Sequence, residues 1–160
     1  MLYLVSPSAS HPEERETDPI RVLIVEDDAD YREIVSDELS WHGFAVRSFA
    51  DGDALLGSLD AAAEADVIVL DWRLPTISGI DLLPRLRQLG VNLPVVFLTS
   101  HPQPVNEQLA FKRGALDFID KTFGVAVLAS RLRLVAKNSQ AATKVSHPLD
   151  DSPRKIFGTD

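Results

Sequence analysis

The sequence predicts one α/β domain, a parallel sheet with helices on both faces. Three observations predict it. Short β-branched apolar runs recur along the chain. They alternate, five times over, with segments whose apolar residues return every three or four positions, the pattern of strand–helix units wound in series. The size also fits. A chain of 160 residues, 45% hydrophobic and without cysteine, buries roughly 70% of its unfolded surface and needs no disulfide or cysteine-held metal.

Each element has its own signal. Residues 20–25 (IRVLIV) read as a buried strand. Tyr31, Ile34, Val35, Leu39 and His42 then share one face of a helix, which Gly43 stops. Residues 44–49 alternate as a second strand, and Asp51 is an N-cap candidate for a helix through residue 59. Residues 66–70 (DVIVL) form the third strand and 79–88 a helix ended by Gly90. Residues 94–99 (PVVFLT) form the fourth strand, 104–113 a helix, and 118–120 a short fifth strand. The last helix, over 124–138, sets Leu128, Leu132, Val135 and Ala136 on one face.

Charge is unevenly spread. The formal total is −8. Residues 1–19 carry four acids against Arg15, and 138–160 three acids against three bases, so residues 20–137 keep −5. Both ends are rich in Ser, Pro and Thr, lack apolar periodicity and read as flexible arms, the second a tail or linker. An acidic chain is repelled by nucleic acid and by anionic membrane. Direct DNA binding finds no basic stripe or recognition-helix pattern. Apolar runs fall far short of the ~20 residues that span a bilayer. The N-terminal MLYLV lacks the basic flank of a signal peptide. A soluble, cytoplasmic protein is expected.

Doubly wound sheets bind ligands outside the carboxyl ends of their strands. There the sequence places Glu26, Asp27 and Asp28 after the first strand and Asp71 after the third. Thr99 and Ser100 follow the fourth, and Lys121 the fifth. Crowded carboxylates repel unless a cation balances them, and such oxygen donors suit Mg²⁺ held with water and a phosphate. A nucleophilic carboxylate, a hard cation, an ammonium and a hydroxyl are the parts needed to receive a phosphoryl group on an aspartate. Taken singly, each residue has an ordinary reading. Asp28 is a helix cap, Thr99 a strand-end cap, Lys121 a solvated lysine and Phe118 an edge aromatic. Trp72, beside Asp71, is expected near the phosphate entrance. His42 and His101 have no partner at metal spacing.

Together these segments resemble the receiver domain of bacterial two-component response regulators. VLIVEDD is similar to that family's first strand and acidic pair. VIVLDWRLPTISGIDLL is similar to its phosphorylation-site segment, including the spacing of Pro75 and Gly79. VVFLTS resembles its Thr/Ser strand, and GALDFIDK its aromatic-x-x-Lys end. The resemblance covers residues 20–137. It implies a flavodoxin-like sheet of five parallel strands, order 2-1-3-4-5, flanked by five helices. It further implies a signalling switch rather than an enzyme, with Asp71 as phosphoacceptor and a sensor histidine kinase as donor. Glu26, Asp27, Asp71 and the backbone carbonyl of Arg73 would hold Mg²⁺. Thr99 would bond the phosphoryl oxygens, Lys121 would pair with the phosphate, and Phe118 would be the aromatic switch. Activation would reshape the surface of the fourth helix, fifth strand and fifth helix and so control an output, most commonly transcription. That surface forms a homodimer in the family's winged-helix regulators. Asp117 and Arg131 occupy two of its charged positions, and Val127 stands where an acid is usual.

Two features depart from the family. It places Pro, after a cis peptide, where this chain has Thr122. A cis bond before a non-proline residue costs ~3 kcal/mol, so either the site bears that cost or the loop is rebuilt. Arg73 and His101 stand two residues past Asp71 and Thr99, where side chains adjust phosphoaspartate hydrolysis. Two other functions compete. A phosphatase of the haloacid-dehalogenase type needs a second acid where Arg73 stands, and a cap domain. A phosphorylation-independent pseudo-receiver commonly loses an acid, the acceptor or the lysine, and this chain keeps all of them, leaving Thr122 as its one support.

Overall fold

A computed structural model describes residues 18–145. Its strands are β1 (Arg21–Val25), β2 (Ala45–Phe49), β3 (Val67–Asp71), β4 (Val95–Thr99) and β5 (Asp117–Asp120). Its helices are α1 (Ala29–Trp41), α2 (Gly52–Leu56), α3 (Leu59–Ala63), α4 (Gly79–Gln88), α5 (Pro104–Lys112) and α6 (Val125–Val145). A 3₁₀ turn, Lys121–Phe123, leads into α6. All strand pairs are parallel, in the order β2-β1-β3-β4-β5, as expected.

The apolar runs of β1, β3 and β4 are continuous because these inner strands are covered on both faces. Alternation divides their side chains. Leu23, Val25, Ile68, Leu70, Val95 and Phe97 point to one layer, where they meet Leu55, Ala62, Leu83, Leu86 and Ala110 from α2 to α5. Val22, Ile24, Val67, Val69, Val96 and Leu98 point to the other, where they meet Val35 and Leu39 of α1 and Leu128 and Leu132 of α6. The chain leaves α1 through Gly43 and α4 through Gly90, both at positive φ (89° and 85°), as befits helix stops.

Two elements differ from expectation. The helix expected over 51–59 is two short ones. Asp51 caps α2 by accepting from the Ala54 N–H at 2.7 Å, but Gly57 and Ser58, both weaker helix formers than Ala, end it before α3 begins. The chain thus has six helices among the described residues, and the expected fourth and fifth helices are α5 and α6. The last helix continues to Val145, past the 137/138 boundary. Gln140, Ala141, Ala142 and Lys144 are strong helix formers that carry it on. Residues 1–17 and 146–160, which hold most of the two expected arms, lie outside the described residues. No helix among the described residues is long and apolar enough to cross a membrane.

Candidate functional site

Register assembles the site. Val25 pairs with Leu70, so Glu26 and Asp71 emerge side by side at the carboxyl edge. Asp71 pairs with Leu98, and Thr99 with Asp120, which brings in the ends of β4 and β5. Alternation then aims Glu26, Asp71 and Lys121 toward the α1/α6 layer, and Thr99 and Phe118 toward the opposite one.

On the first side the charges converge. Lys121 Nζ donates to Glu26 Oε2 at 2.7 Å and to Asp71 Oδ2 at 3.3 Å. Asp71 Oδ1 accepts from the Arg73 backbone N–H at 3.2 Å, and Glu26 Oε1 from the Asp28 N–H at 3.1 Å. Carboxylate oxygens of Glu26, Asp27 and Asp71 lie within 4.8 Å of one another. Glu26 is 1% and Asp71 7% exposed, whereas Asp27 is open to solvent. The ring of Tyr31, on the first turn of α1, lies with its centroid 4.5 Å from Lys121 Nζ.

Burial dominates the electrostatics. It raises Glu26 to about 7; the Lys121 hydrogen bond opposes this and the Asp71 charge adds to it. Asp71 is likewise raised by burial, against the pull of Lys121. For Lys121, burial favours the neutral amine, but the Glu26 hydrogen bond and the two carboxylate charges outweigh it and the group is raised. Tyr31 is pushed up to about 12 by burial and by the Glu26 and Asp71 charges. One ammonium is thus shared by two buried acids, with Asp27 beside them at the solvent edge.

The Thr122 loop is rebuilt. No peptide bond among the described residues is cis. Asp120 accepts from the Thr122 N–H at 2.8 Å and opens the 3₁₀ turn, from which Lys121 still reaches both acids.

On the opposite side, Thr99 is buried (3% exposed) and its hydroxyl accepts from the His101 N–H at 3.2 Å. Trp72 is half-buried. It makes edge contacts with Phe97 at 5.2 Å and Phe118 at 5.6 Å between ring centroids, because it points away from Asp71. Asp28 caps α1 through the Tyr31 N–H at 3.1 Å. The Arg73 side chain is exposed. Asp117 and Arg131 pair with each other at 3.1 Å.

Two residues of this region escaped sequence reasoning as site residues. Tyr31 was legible only as a core-facing helix position. Gly79 was legible only as spacing. A Cβ on Gly79 would stand 2.1 Å from the Asp71 carbonyl oxygen, so the N-terminus of α4 packs directly on the backbone of the acceptor candidate.

A doubly wound 2-1-3-4-5 sheet with an acidic pocket and a lysine at its carboxyl edge defines the class of CheY-like α/β receivers. The family model described as the response regulator receiver domain matches residues 22–133, and the chain belongs to that family. Among curated proteins it is 32% identical over 136 residues to the transcriptional regulatory protein TrcR of Mycobacterium tuberculosis, covering 85% of this chain and 51% of that protein. It is 34% identical over 128 residues to the alkaline phosphatase synthesis transcriptional regulatory protein SphR of Synechococcus elongatus, covering 75% and 50%. The chain spans about half the length of these relatives. Among solved structures, the Francisella response regulator 1452 receiver domain superposes with a TM-score of 0.69 at 29% identity, over 75% of this chain and 98% of that one. The BeF3-activated N-terminal receiver domain of Klebsiella pneumoniae RstA gives 0.66 at 34%, over 72% and 97%.

Proposed function

We propose that the chain is a phosphorylation-controlled switch in which Asp71 accepts a phosphoryl group from a sensor histidine kinase or a small acyl phosphate. The observation that carries this reading is the convergence of Lys121 on Asp71 and Glu26, inside a buried pocket at the carboxyl edge. A carboxylate oxygen of Asp71 attacks phosphorus. The bond from phosphorus to the donor's imidazole nitrogen or carboxylate oxygen breaks, and its electron pair leaves with that group. Lys121 neutralises charge on the phosphoryl oxygens, and Thr99 supplies a hydroxyl donor.

Glu26, Asp27, Asp71 and the Arg73 carbonyl are the groups that would hold Mg²⁺. The donor set fits it: all are hard oxygen ligands, and the carboxylate oxygens of Glu26, Asp27 and Asp71 lie within 4.8 Å of one another. When bound, the ion supplies charge neutralisation on the transferring group. Thr99 and Phe118 lie on one face of the sheet and form the switch, which alters the α5–β5–α6 surface. An output in transcription is supported by the names of the relatives. A homodimer through that surface would exchange the Asp117–Arg131 pair for pairs between chains. The exposed Val105, Leu116 and Leu134 on or beside these elements supply apolar area for it.

Incubation with acetyl phosphate and Mg²⁺, followed by intact mass, tests the acceptor. One added phosphoryl group, absent from Asp71→Asn, is expected. No gain from any donor would overturn the reading in favour of a pseudo-receiver. Self-association that beryllium fluoride leaves unchanged would remove the activated dimer alone.

A further inference from the structure

We propose that Tyr31 is a positioning residue for Lys121, its ring holding the ammonium on Asp71 during phosphoryl transfer; this deepens the acceptor reading above and rests on it.

Lys121 comes from a short turn at the edge of the sheet and crosses to acids on β1 and β3. Two of the three N–H bonds that an ammonium offers go to Glu26 and Asp71. The Tyr31 ring centroid lies 4.5 Å from the same nitrogen, well inside the ~6 Å range of an attractive cation–π contact. The side chain of Lys121 is only 13% exposed, and desolvation strengthens such a contact.

Tyr31 is itself held in place. Its N–H is bonded by the Asp28 cap, and its side chain packs, half-buried, against the core layer shared by α1 and α6. The next residue, Arg32, donates to the Glu26 carbonyl at 2.7 Å, tying the first turn of α1 to the end of β1. The ring is therefore a fixed wall and the lysine the flexible partner. The wall matters most when the attacking carboxylate is consumed. Once an Asp71 oxygen is bonded to phosphorus, Lys121 keeps Glu26 and the ring as fixed references from which to meet the phosphoryl oxygens.

The test compares Tyr31→Phe, which keeps the π face, with Tyr31→Leu, which keeps apolar bulk without it. Both are first confirmed folded by circular dichroism and urea unfolding. The first readout is the rate of phosphorylation by acetyl phosphate with Mg²⁺. Tyr31→Leu is expected to be about tenfold slower and Tyr31→Phe within about twofold of the parent chain. The second readout is the proton–carbon NMR signal of the Lys121 ε-methylene, assigned by its loss in Lys121→Arg. It is expected upfield from the ring current in the parent and in Tyr31→Phe, and at the ordinary lysine position in Tyr31→Leu. An ordinary position in the parent chain overturns the proposal whatever the kinetics. A folded Tyr31→Leu with parental rate also overturns it, as does a Tyr31→Phe as slow as Tyr31→Leu, which would assign the effect to the hydroxyl. A parent chain that shows the ring-current shift but accepts no phosphoryl group refutes the acceptor reading and leaves the ring–ammonium contact standing.

Discussion

Replacing Gly79 with Ala puts a methyl group where the protein has no room. Its Cβ would lie 2.1 Å from the Asp71 carbonyl oxygen, 3.1 Å from the Asp71 carbonyl carbon and 3.1 Å from a ring carbon of Phe97. Relieving the first contact requires a shift of about 1 Å. The obstacle is main chain in a strand buried along its whole length, so it cannot rotate aside as a side chain would. Gly79 is also pinned, because its N–H donates to the Trp72 carbonyl at 3.1 Å. Overpacking of this kind costs about 3 kcal/mol, the upper part of the usual range. Ala recovers about 1 kcal/mol as the better helix former. The net expectation is a loss of about 2 kcal/mol in urea unfolding, together with slower phosphorylation, since the displaced backbone belongs to Asp71. Gly57→Ala is the control. Gly57 has φ −76°, its new Cβ approaches nothing closer than 3.5 Å, and the change is expected to stay within about 0.5 kcal/mol. If Gly79→Ala matched that control, the close-packing argument would be refuted.

Two further outcomes follow from the site and its loop. Burial pushes Glu26 up to about 7 from an ordinary 4.5, so the folded state binds its proton more tightly than the unfolded one. The associated stability is fully present below about pH 4.5 and is lost as pH rises through about 7, a swing of about 3 kcal/mol. Glu26→Gln in chelator-treated protein is therefore expected to be more stable at pH 8 and to lose that slope; parallel pH profiles for the two proteins would sink the burial argument. Thr76 has φ 67°, a conformation that costs an L residue roughly 1–2 kcal/mol, and it is closed by a hydrogen bond from the Ile77 N–H to the Pro75 carbonyl at 2.7 Å. Thr76→Gly is expected to raise stability by about 0.5–1 kcal/mol, and a fall in the urea midpoint would show that the threonine side chain has a role of its own.

The strands were legible because burial on both faces leaves an unbroken β-branched run, and the charged site because its members directly follow those runs. What local pattern could not resolve was competition. At Gly57 and Ser58 the apolar periodicity of Leu55, Leu56 and Leu59 continues straight across the break, so periodicity argued for one helix while propensity cut it in two. At residues 138–145 a Ser/Thr-bearing composition argued for a linker while helix formers extended α6. The Thr122 loop left two geometries open, and the Asp120 cap decided between them. Tyr31 touches Lys121 only through tertiary packing across ninety residues of sequence. Trp72 is a different case, since strand alternation from Asp71 already aims it at the opposite layer.

That last placement links the two sides of the sheet. Asp71 and Trp72 share one peptide plane, yet the carboxylate lies among the charges and the indole among Phe97 and Phe118. A rotation of that plane moves both side chains, which lie on opposite sides of the sheet. The other tryptophan, Trp41, is 89% exposed on α1 and supplies a solvent-facing background. Ultraviolet emission from the unlabelled chain therefore has one component seated in the aromatic layer next to Phe118 and one facing solvent.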